Sequence, residues 1–386
     1  MSKQHRKMSR VPKPIMVKST EALEALLTIL DGEPTFAIDT ESNSLYAYQE
    51  QICLIQISIP QADYLVDPLA DVDVSLLGPI FADPGVQKVF HAAEYDVMCF
   101  KRDFDFRFEN LFDTMWAARI LGWPRVGLGN ILQETFDVRT NKRYQRYNWG
   151  KRPLEPDARA YACLDTHYLL PLRDLQLEAL IRKGRWEEAQ EAFRQIAASE
   201  PMWEDFSPDD FWHVKGAHDL SPREQAILRE LCIWRDRQAR RQDRPHFKIV
   251  GDHTLTALAH AHPRTLDEVG DIKGIKSYHV RRYGRHILQA VERGERAEIP
   301  SPPERPPRRP MTDIERYEAL RAWRKEVAEE RGVDVSVIMT NDVLWSLVDE
   351  EPDTLDELEG LEGLGPWKCK TYGEDILDVL EENGDT

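Results

Sequence analysis

Two hydrophobic rhythms run along the chain, and one replaces the other past its middle. Through roughly the first 200 residues, short apolar runs rich in β-branched side chains (FAIDT, ICLIQISI, DYLVD) are separated by turn formers, which predicts neighbouring strands. VSLLGPIF reads as a helix disturbed by Pro79, and KVFHAA as a further strand running into a helix over 94–103. Asp113-Thr114 caps a helix that extends to Gly122. From Asp157 onward, DARAYACLDTHYLLPLRDLQLEALIRK is one long helical pattern with a bend expected at Pro171. Strands followed by helices that pack on them predict a layered α/β or α+β domain.

After residue 213 the strand signal stops and everything reads helical. An internal repeat lies here. TLDEVGDIKGIKSYHVRRYGRHILQAVE (265–292) aligns without a gap on TLDELEGLEGLGPWKCKTYGEDILDVLE (354–381), with ten of 28 positions identical. The same offset of 89 carries Trp234-Arg235 onto Trp323-Arg324 and Pro263 onto Pro352. One small all-helical module is therefore used twice, joined by EIPSPPERPPRRP, which predicts an extended, semi-rigid spacer. The expected divisions are 1–212, 213–293, a linker over 294–310, and 311–386.

Charge refines this picture. The net charge of −17 argues against a polyanionic partner until it is divided along the chain. Residues 221–293 carry 15 Lys and Arg against 9 Asp and Glu, whereas 311–386 carry 7 against 22. A basic module is thus bracketed by acidic ones. The five cysteines form no C-x-x-C pair and are expected as buried thiols in a reducing compartment. The basic N-terminus MSKQHRKMSRVPKP leads into no long apolar stretch and no run reaches membrane-span length, so a soluble, cytoplasmic protein is expected. No GxxxxGK[ST] occurs, so no nucleotide cofactor is expected.

The first strand poses a chemical question. It ends on Asp39-Thr40-Glu41, and side chains two apart in a strand share a face. Two carboxylates that close repel unless a cation lies between them. A hard divalent ion would call for further carboxylates. Asp96, in an otherwise apolar helix just past a strand, is one candidate. Tyr161 and Asp165, four apart on one helix face, supply another. Taken singly, Asp96 or Asp165 reads as an ordinary solvated helix residue, and Tyr161–Asp165 as a local hydrogen bond. All of them in one order, each in a fitting setting, reads as a metal site.

DTE (39–41), H-x4-D (His91 to Asp96) and Y-x3-D (Tyr161 to Asp165) resemble the three exonuclease motifs of the DEDD superfamily. CLIQIS, LFDT, YQRYNWGKRPL and the duplicated helical module are similar to the ribonuclease D family, the modules resembling HRDC domains. The resemblance covers nearly the whole chain. It implies an α/β ribonuclease H-like exonuclease domain, a mixed sheet flanked by helices, followed by two small all-α HRDC-like domains. One branch of the superfamily has His five residues before the last Asp, where this chain has Ala160; the other has Tyr four before it, here Tyr161. The tyrosine branch is therefore implied.

By the same resemblance the catalytic set is Asp39, Glu41, Asp96, Tyr161 and Asp165. The four carboxylates would hold two divalent ions (Mg²⁺ or Mn²⁺), about 3.5–4 Å apart in such sites, and Tyr161 would orient the attacking water. RNA with a free 3′ end, precursor tRNA foremost, would lose nucleoside 5′-monophosphates. Basic and aromatic residues interleave in RYQRYNWGKRPL, so Tyr144, Arg146, Trp149 and Arg152 are expected to contact single-stranded RNA, together with His91. Lys273, Arg281 and Arg282 of the first module are expected to meet phosphates. Many relatives have Asp immediately before this Trp; here it is Asn148, which puts a local salt bridge in doubt. The acidic second module is expected to pack on the catalytic domain, to shape a funnel around the 3′ end, or to take a basic partner. A monomer is expected because one chain holds every part of the site. A 3′–5′ DNA exonuclease and a non-catalytic RNA-binding scaffold are the competing readings.

Overall fold

A computed structural model describes residues 13–140, 142–201, 205–304 and 307–383, so most of the basic N-terminal segment and two positions of the proline-rich spacer lie outside the described residues. The chain forms two compact units. One comprises Met1–Ser42, Ile52–Pro201 and Pro307–Thr386; the other comprises Asn43–Gln51 and Met202–Pro306. These units cut across the expected divisions at 212 and 310. The short 43–51 segment travels with the first helical module, and the second module belongs to the same unit as the sheet.

The sheet is mixed, with strands β1 (Ile15–Ser19), β2 (Thr35–Ser42), β3 (Ile52–Ser58), β4 (Asp63–Asp71), β5 (Gln87–Phe90) and β6 (Leu111–Asp113) in the order β1-β4-β3-β2-β5-β6. β2 and β4 run antiparallel to β3, while the outer pairs β1–β4, β2–β5 and β5–β6 are parallel. β3 is buried along its whole length, which is why it reads as a nearly continuous apolar run. The Pro156–His167 helix packs across β2, β3 and β4. Phe36, Ala37 and Ile38 of β2 are fully buried and anchor the strand just before its two carboxylates. β1 and β6 are not evident in the sequence, since each is too short and too mixed for an alternating pattern.

The long pattern after residue 156 is two helices, Pro156–His167 and Leu169–Arg182, meeting at Tyr168 (φ −100°, ψ 0°). The expected bend at Pro171 is therefore a break three residues earlier. It leaves Pro171 in the first turn of the second helix, where its missing N–H would have had no partner.

The two helical modules repeat each other bond for bond. Arg235 donates to the Val250 carbonyl and Asp252 Oδ1 (3.2 and 2.5 Å), and Arg324 donates to the Met339 carbonyl and Asn341 Oδ1 (both 2.9 Å), at positions 89 apart. Trp234 meets Tyr283 edge-on as Trp323 meets Tyr372. Gly274 and Gly363 both have positive φ, and a Cβ there would strike Thr254 or Val343.

Within its unit the second module is fastened to the sheet domain by buried charge. Glu188, 3% exposed, takes Arg331 Nη1 and Nη2 (3.0 and 2.5 Å), and Arg331 also donates to the Tyr372 hydroxyl. Arg185 bonds the carbonyls of Ile120 and Arg331 at 2.5 and 2.8 Å. Glu191 accepts from the backbone N–H groups of Trp367 and Lys368 (2.6 and 3.3 Å), supplying the cap that the Pro366–Glu382 helix lacks in its own sequence. Val337 completes the core of the sheet domain.

Removing one partner of a buried pair strands the other charge. Arg331→Ala is expected to lower the unfolding free energy by about 3 kcal/mol, measured by urea denaturation. A midpoint equal to that of the unmodified protein would show that the pair holds nothing together.

Candidate active site

Three elements bring the acidic side chains together. Asp39 and Glu41 lie at the end of β2, opposite Gln56 and Leu54 of β3. Asp96, 8% exposed, occupies the first turn of the Glu94–Phe104 helix, and the Thr40 hydroxyl donates to its Oδ1. Tyr161 and Asp165 lie on the Pro156–His167 helix.

The approach to Asp96 is fixed by Asp113. Its Oδ1 accepts from the N–H groups of Ala92, Met115 and Trp116 (3.2, 2.7 and 3.0 Å) and its Oδ2 from that of Ala93 (2.7 Å). One buried carboxylate thus caps the Thr114–Ile120 helix, as expected, and also pins the turn leading into the Asp96 helix. Ala92 takes φ +65° in that turn. Asp165 is held by its helix neighbours. Ser58 Oγ donates to Asp63 (2.6 Å), so it accepts from Thr166 Oγ1 at 2.7 Å, and His167 Nδ1 lies 2.9 Å from Asp63 Oδ2. These contacts fix the helix against β3 and β4 on the residues directly following Asp165.

Burial pushes Asp39, Glu41 and Asp96 well above the usual carboxylate range, and neighbouring carboxylates push them further. Asp39 feels Asp165; Glu41 feels Asp39, Asp165 and Asp96; Asp96 feels Asp39. Burial raises Asp165 to about 7. Among the described residues, no three His, Cys, Asp or Glu are gathered closely enough to hold an ion unaided. The fit to metal rests instead on chemistry: four partly desolvated, mutually repelling oxygen donors suit hard dications that retain water ligands. The Tyr161 hydroxyl is pushed up by burial first, then by Asp165, Glu41 and Asp39, and so keeps its proton.

The aromatic expectation needs correction. Tyr144 and Trp149 are 5% and 2% exposed, and their rings lie 5.6 and 6.2 Å from that of Tyr161. Stacking on a base needs an open face, so these two rings wedge Tyr161 in place instead. Arg152 is corrected too. Its Nε and Nη2 grip Asp67 (2.7 and 2.6 Å), Nη2 also reaches the Cys53 carbonyl (2.6 Å), and Nη1 the carbonyls of Trp149 and Lys151 (2.6 and 2.9 Å). All five of its donors are committed, which leaves none for phosphate. Asn148 accepts from the Gly150 N–H at 3.2 Å and stabilises the loop locally.

Arg146 is exposed on the Lys142–Arg146 turn. His91 Nδ1 lies 2.9 Å from Thr114 Oγ1, which itself donates to the Phe90 carbonyl, so Nδ1 carries a proton. Burial holds this imidazole below its ordinary value and hence neutral. Lys273, Arg281 and Arg282 are exposed in the other compact unit, with Arg282 donating to Gln242 at 2.6 Å. Sequence reasoning missed the cleft beside the acids, a cavity of about 470 Å³ where Asn130, Gln133, Arg139 and Gln145 join Tyr161 and Asp165. Scattered amides carry no motif by which it could have been found.

A family model described as 3′-5′ exonuclease matches residues 14–180, and one for the HRDC domain matches residues 224–291 and 313–380. A ribonuclease D of Acidiphilium cryptum is 29% identical over 95% of this chain and 93% of its own length. The crystal structure of Escherichia coli RNase D, described as an exoribonuclease involved in structured RNA processing, superposes with a TM-score of 0.68 at 25% identity, over 96% of this chain and 99% of that one. The chain belongs to the ribonuclease D family of 3′–5′ exoribonucleases. The Arabidopsis thaliana protein RRP6-like 3 is 35% identical over 67% of the chain, which spans only 32% of that relative's length. Ribonuclease D relatives thus match from end to end, sheet domain and both HRDC modules included.

Carboxyl groups raised in the folded state hold protons that the unfolded chain releases near pH 4. Their contribution to stability is present at low pH and lost as pH rises through the folded value, about 7 for Asp165. In EDTA, the thermal midpoint is therefore expected to fall between pH 5 and pH 8, and Asp165→Asn to flatten that fall. A pH profile identical in the variant would contradict the electrostatic account.

Proposed function

We propose that this protein shortens RNA from its 3′ end by two-metal hydrolysis, releasing nucleoside 5′-monophosphates one at a time. The observation that carries the reading is the set of four mutually repelling carboxylates on three elements, with a protonated tyrosine beside them. Asp39, Glu41, Asp96 and Asp165 would hold two divalent ions, Mg²⁺ or Mn²⁺, which when bound make water a nucleophile at neutral pH and stabilise the leaving oxygen. Tyr161 keeps its proton, so its hydroxyl can donate one hydrogen bond and accept another, the requirement for orienting an attacking water. Neutral His91 has one nitrogen committed to Thr114 and one left to accept from a ribose hydroxyl. The amide-lined cavity beside Tyr161 and Asp165 suits a terminal nucleotide without selecting its base.

Precursor tRNA with a short 3′ trailer is the substrate we favour, and the enzyme is read as a cytoplasmic monomer. The exposed Lys273, Arg281 and Arg282 of the first HRDC module suit the body of such an RNA. Among the described residues no helix is long and apolar enough to cross a membrane.

The test uses a short single-stranded RNA, its DNA counterpart and a tRNA carrying a 3′ trailer, with Mg²⁺, Mn²⁺ or EDTA. Mononucleotide release from RNA is expected only with metal and is abolished by Asp165→Asn. Tyr161→Phe is expected to lower kcat by about 10²-fold or more with KM little changed. Preference for the DNA strand would overturn the RNA assignment, and absence of release from every polymer would overturn the hydrolytic one.

A further inference from the structure

The Pro222–Gln242 helix of the first HRDC module carries Arg237, Arg240 and Arg241, and Arg244 follows one turn later. Arg237, Arg240 and Arg241 (i, i+3, i+4) share one face of that helix, Arg244 follows the left-handed Asp243 that ends it, and all four side chains are exposed. Arg240 is drawn to the Tyr48 hydroxyl (2.8 Å) and Asp236 (3.1 Å). Asp236 and Asp243 are occupied as well, and Asp205 acts on Arg240 at longer range. Asp236 also takes the Tyr48 hydroxyl and His246 (2.5 and 3.1 Å), and Asp243 takes the Tyr48 N–H (2.9 Å). Among the described residues, Arg237, Arg241, Arg244 and Lys248 form no ion pair. Lys248 lies over the Tyr46 ring at 3.7 Å, and its charge is disfavoured by burial and by Arg244. Cations crowded this way are relieved by an anion.

Between Arg244 and Lys248 stands Phe247, 57% exposed. It is turned outward while Ile249 and Val250, two and three residues on, are 1% and 4% exposed and hold the turn in the core. Tyr278, 41% exposed, lies 6.1 Å from Tyr283, whose hydroxyl bonds Gln242 at the end of the arginine helix. Single exposed aromatics are ordinary; aromatics set among unpaired cations are the composition of a single-strand platform.

The second module shows that the fold does not demand this surface. At the offset of 89, Arg237, Arg240 and Arg241 become Glu326, Glu329 and Glu330, and Arg244, Phe247 and Lys248 become Val333, Ser336 and Val337. There Glu326, Glu329 and Glu330 stay exposed, while the turn that follows the helix docks. Val337 is in the core of the sheet domain with Val333 packed against it, and Ser336 accepts from Arg119 at 3.5 Å. The second copy thus uses this turn for association, and the first copy presents the same turn exposed, with cations and a ring.

We propose that Arg237, Arg241, Arg244 and Lys248, with the ring of Phe247, form a track for single-stranded RNA, phosphates on the cations and one base stacked on Phe247. This goes beyond the hydrolytic site and adds to Lys273, Arg281 and Arg282 a surface that grips bases as well as backbone. It rests on RNA being the polymer bound.

The experiment measures anisotropy of a fluorescein-labelled oligouridylate of about 12 nucleotides bound to the full chain, in EDTA, over a salt series. Phe247→Ala is expected to weaken binding about tenfold with the salt slope unchanged. Arg241→Gln with Arg244→Gln is expected to reduce the slope of log K against log salt by about 1.4, two phosphate contacts. Thermal midpoints equal to that of the unmodified protein exclude misfolding, since all three side chains are exposed. Release of mononucleotides from a dinucleotide, whose two residues are both engaged by the hydrolytic site, is expected to stay unchanged in these variants. Unaltered affinity and slope in both variants would overturn the track. Binding of polyglutamate in place of RNA, lost on the same substitutions, would assign the face to an acidic protein and overturn it equally. Failure of the dinucleotide assay in the unmodified protein would count against the hydrolytic reading alone, because anisotropy needs no turnover.

Discussion

Repulsion among Asp39, Glu41, Asp96 and Asp165 is the constraint on which the sheet domain is organised. Each would be more comfortable alone in water, and burial worsens the conflict for all four. A chain that merely placed them nearby would let them spread. Here every element that delivers an acid is tied down next to it: Asp113 under the Asp96 turn, Thr40 on Asp96 itself, and the Ser58–Thr166 and Asp63–His167 contacts directly beyond Asp165. Tyr144 and Trp149 wedge the tyrosine, and Arg152 locks the loop that carries them. Any metal bound there would relieve stress already built into the folded state.

Much of this could be read in the sequence, for identifiable reasons. The four acids and Tyr161 stand out because hydrophobic segments seldom end on paired carboxylates, and because helix and strand spacings say which side chains share a face. The aromatic loop misled because Arg, Tyr and Trp serve both RNA recognition and tight packing; only accessibility and a full count of donors separate the two. Asp113 was legible as a cap for the helix after it, but its grip on Ala92 and Ala93 depends on β5 and β6 lying side by side. The break at Tyr168 was hidden by a proline three residues later that is harmless where it stands.

The duplicated module shows how little of a small helical fold is fixed by its outer surface. The interior bonds of Arg235 and Arg324, the Trp–Tyr pairs and the positive-φ glycines recur, while the exposed positions reverse in charge. Net charge over the whole chain conceals this, because one copy's surplus of acid outweighs the other's surplus of base. The scaffold and the surface have been free to change independently.

The cap that Glu191 provides has a consequence for the order of synthesis. The helix it completes begins at Pro366, so Glu191 and Glu188 leave the ribosome long before it. Until Arg331 emerges Glu188 lacks its partner, and until Trp367 and Lys368 emerge Glu191 lacks the N–H groups it will accept from. The whole first HRDC module is made in that interval. A nascent chain therefore makes the whole of the inserted unit before it can complete the one whose sequence flanks it, and the catalytic half must wait for the Pro366–Glu382 helix to satisfy Glu191.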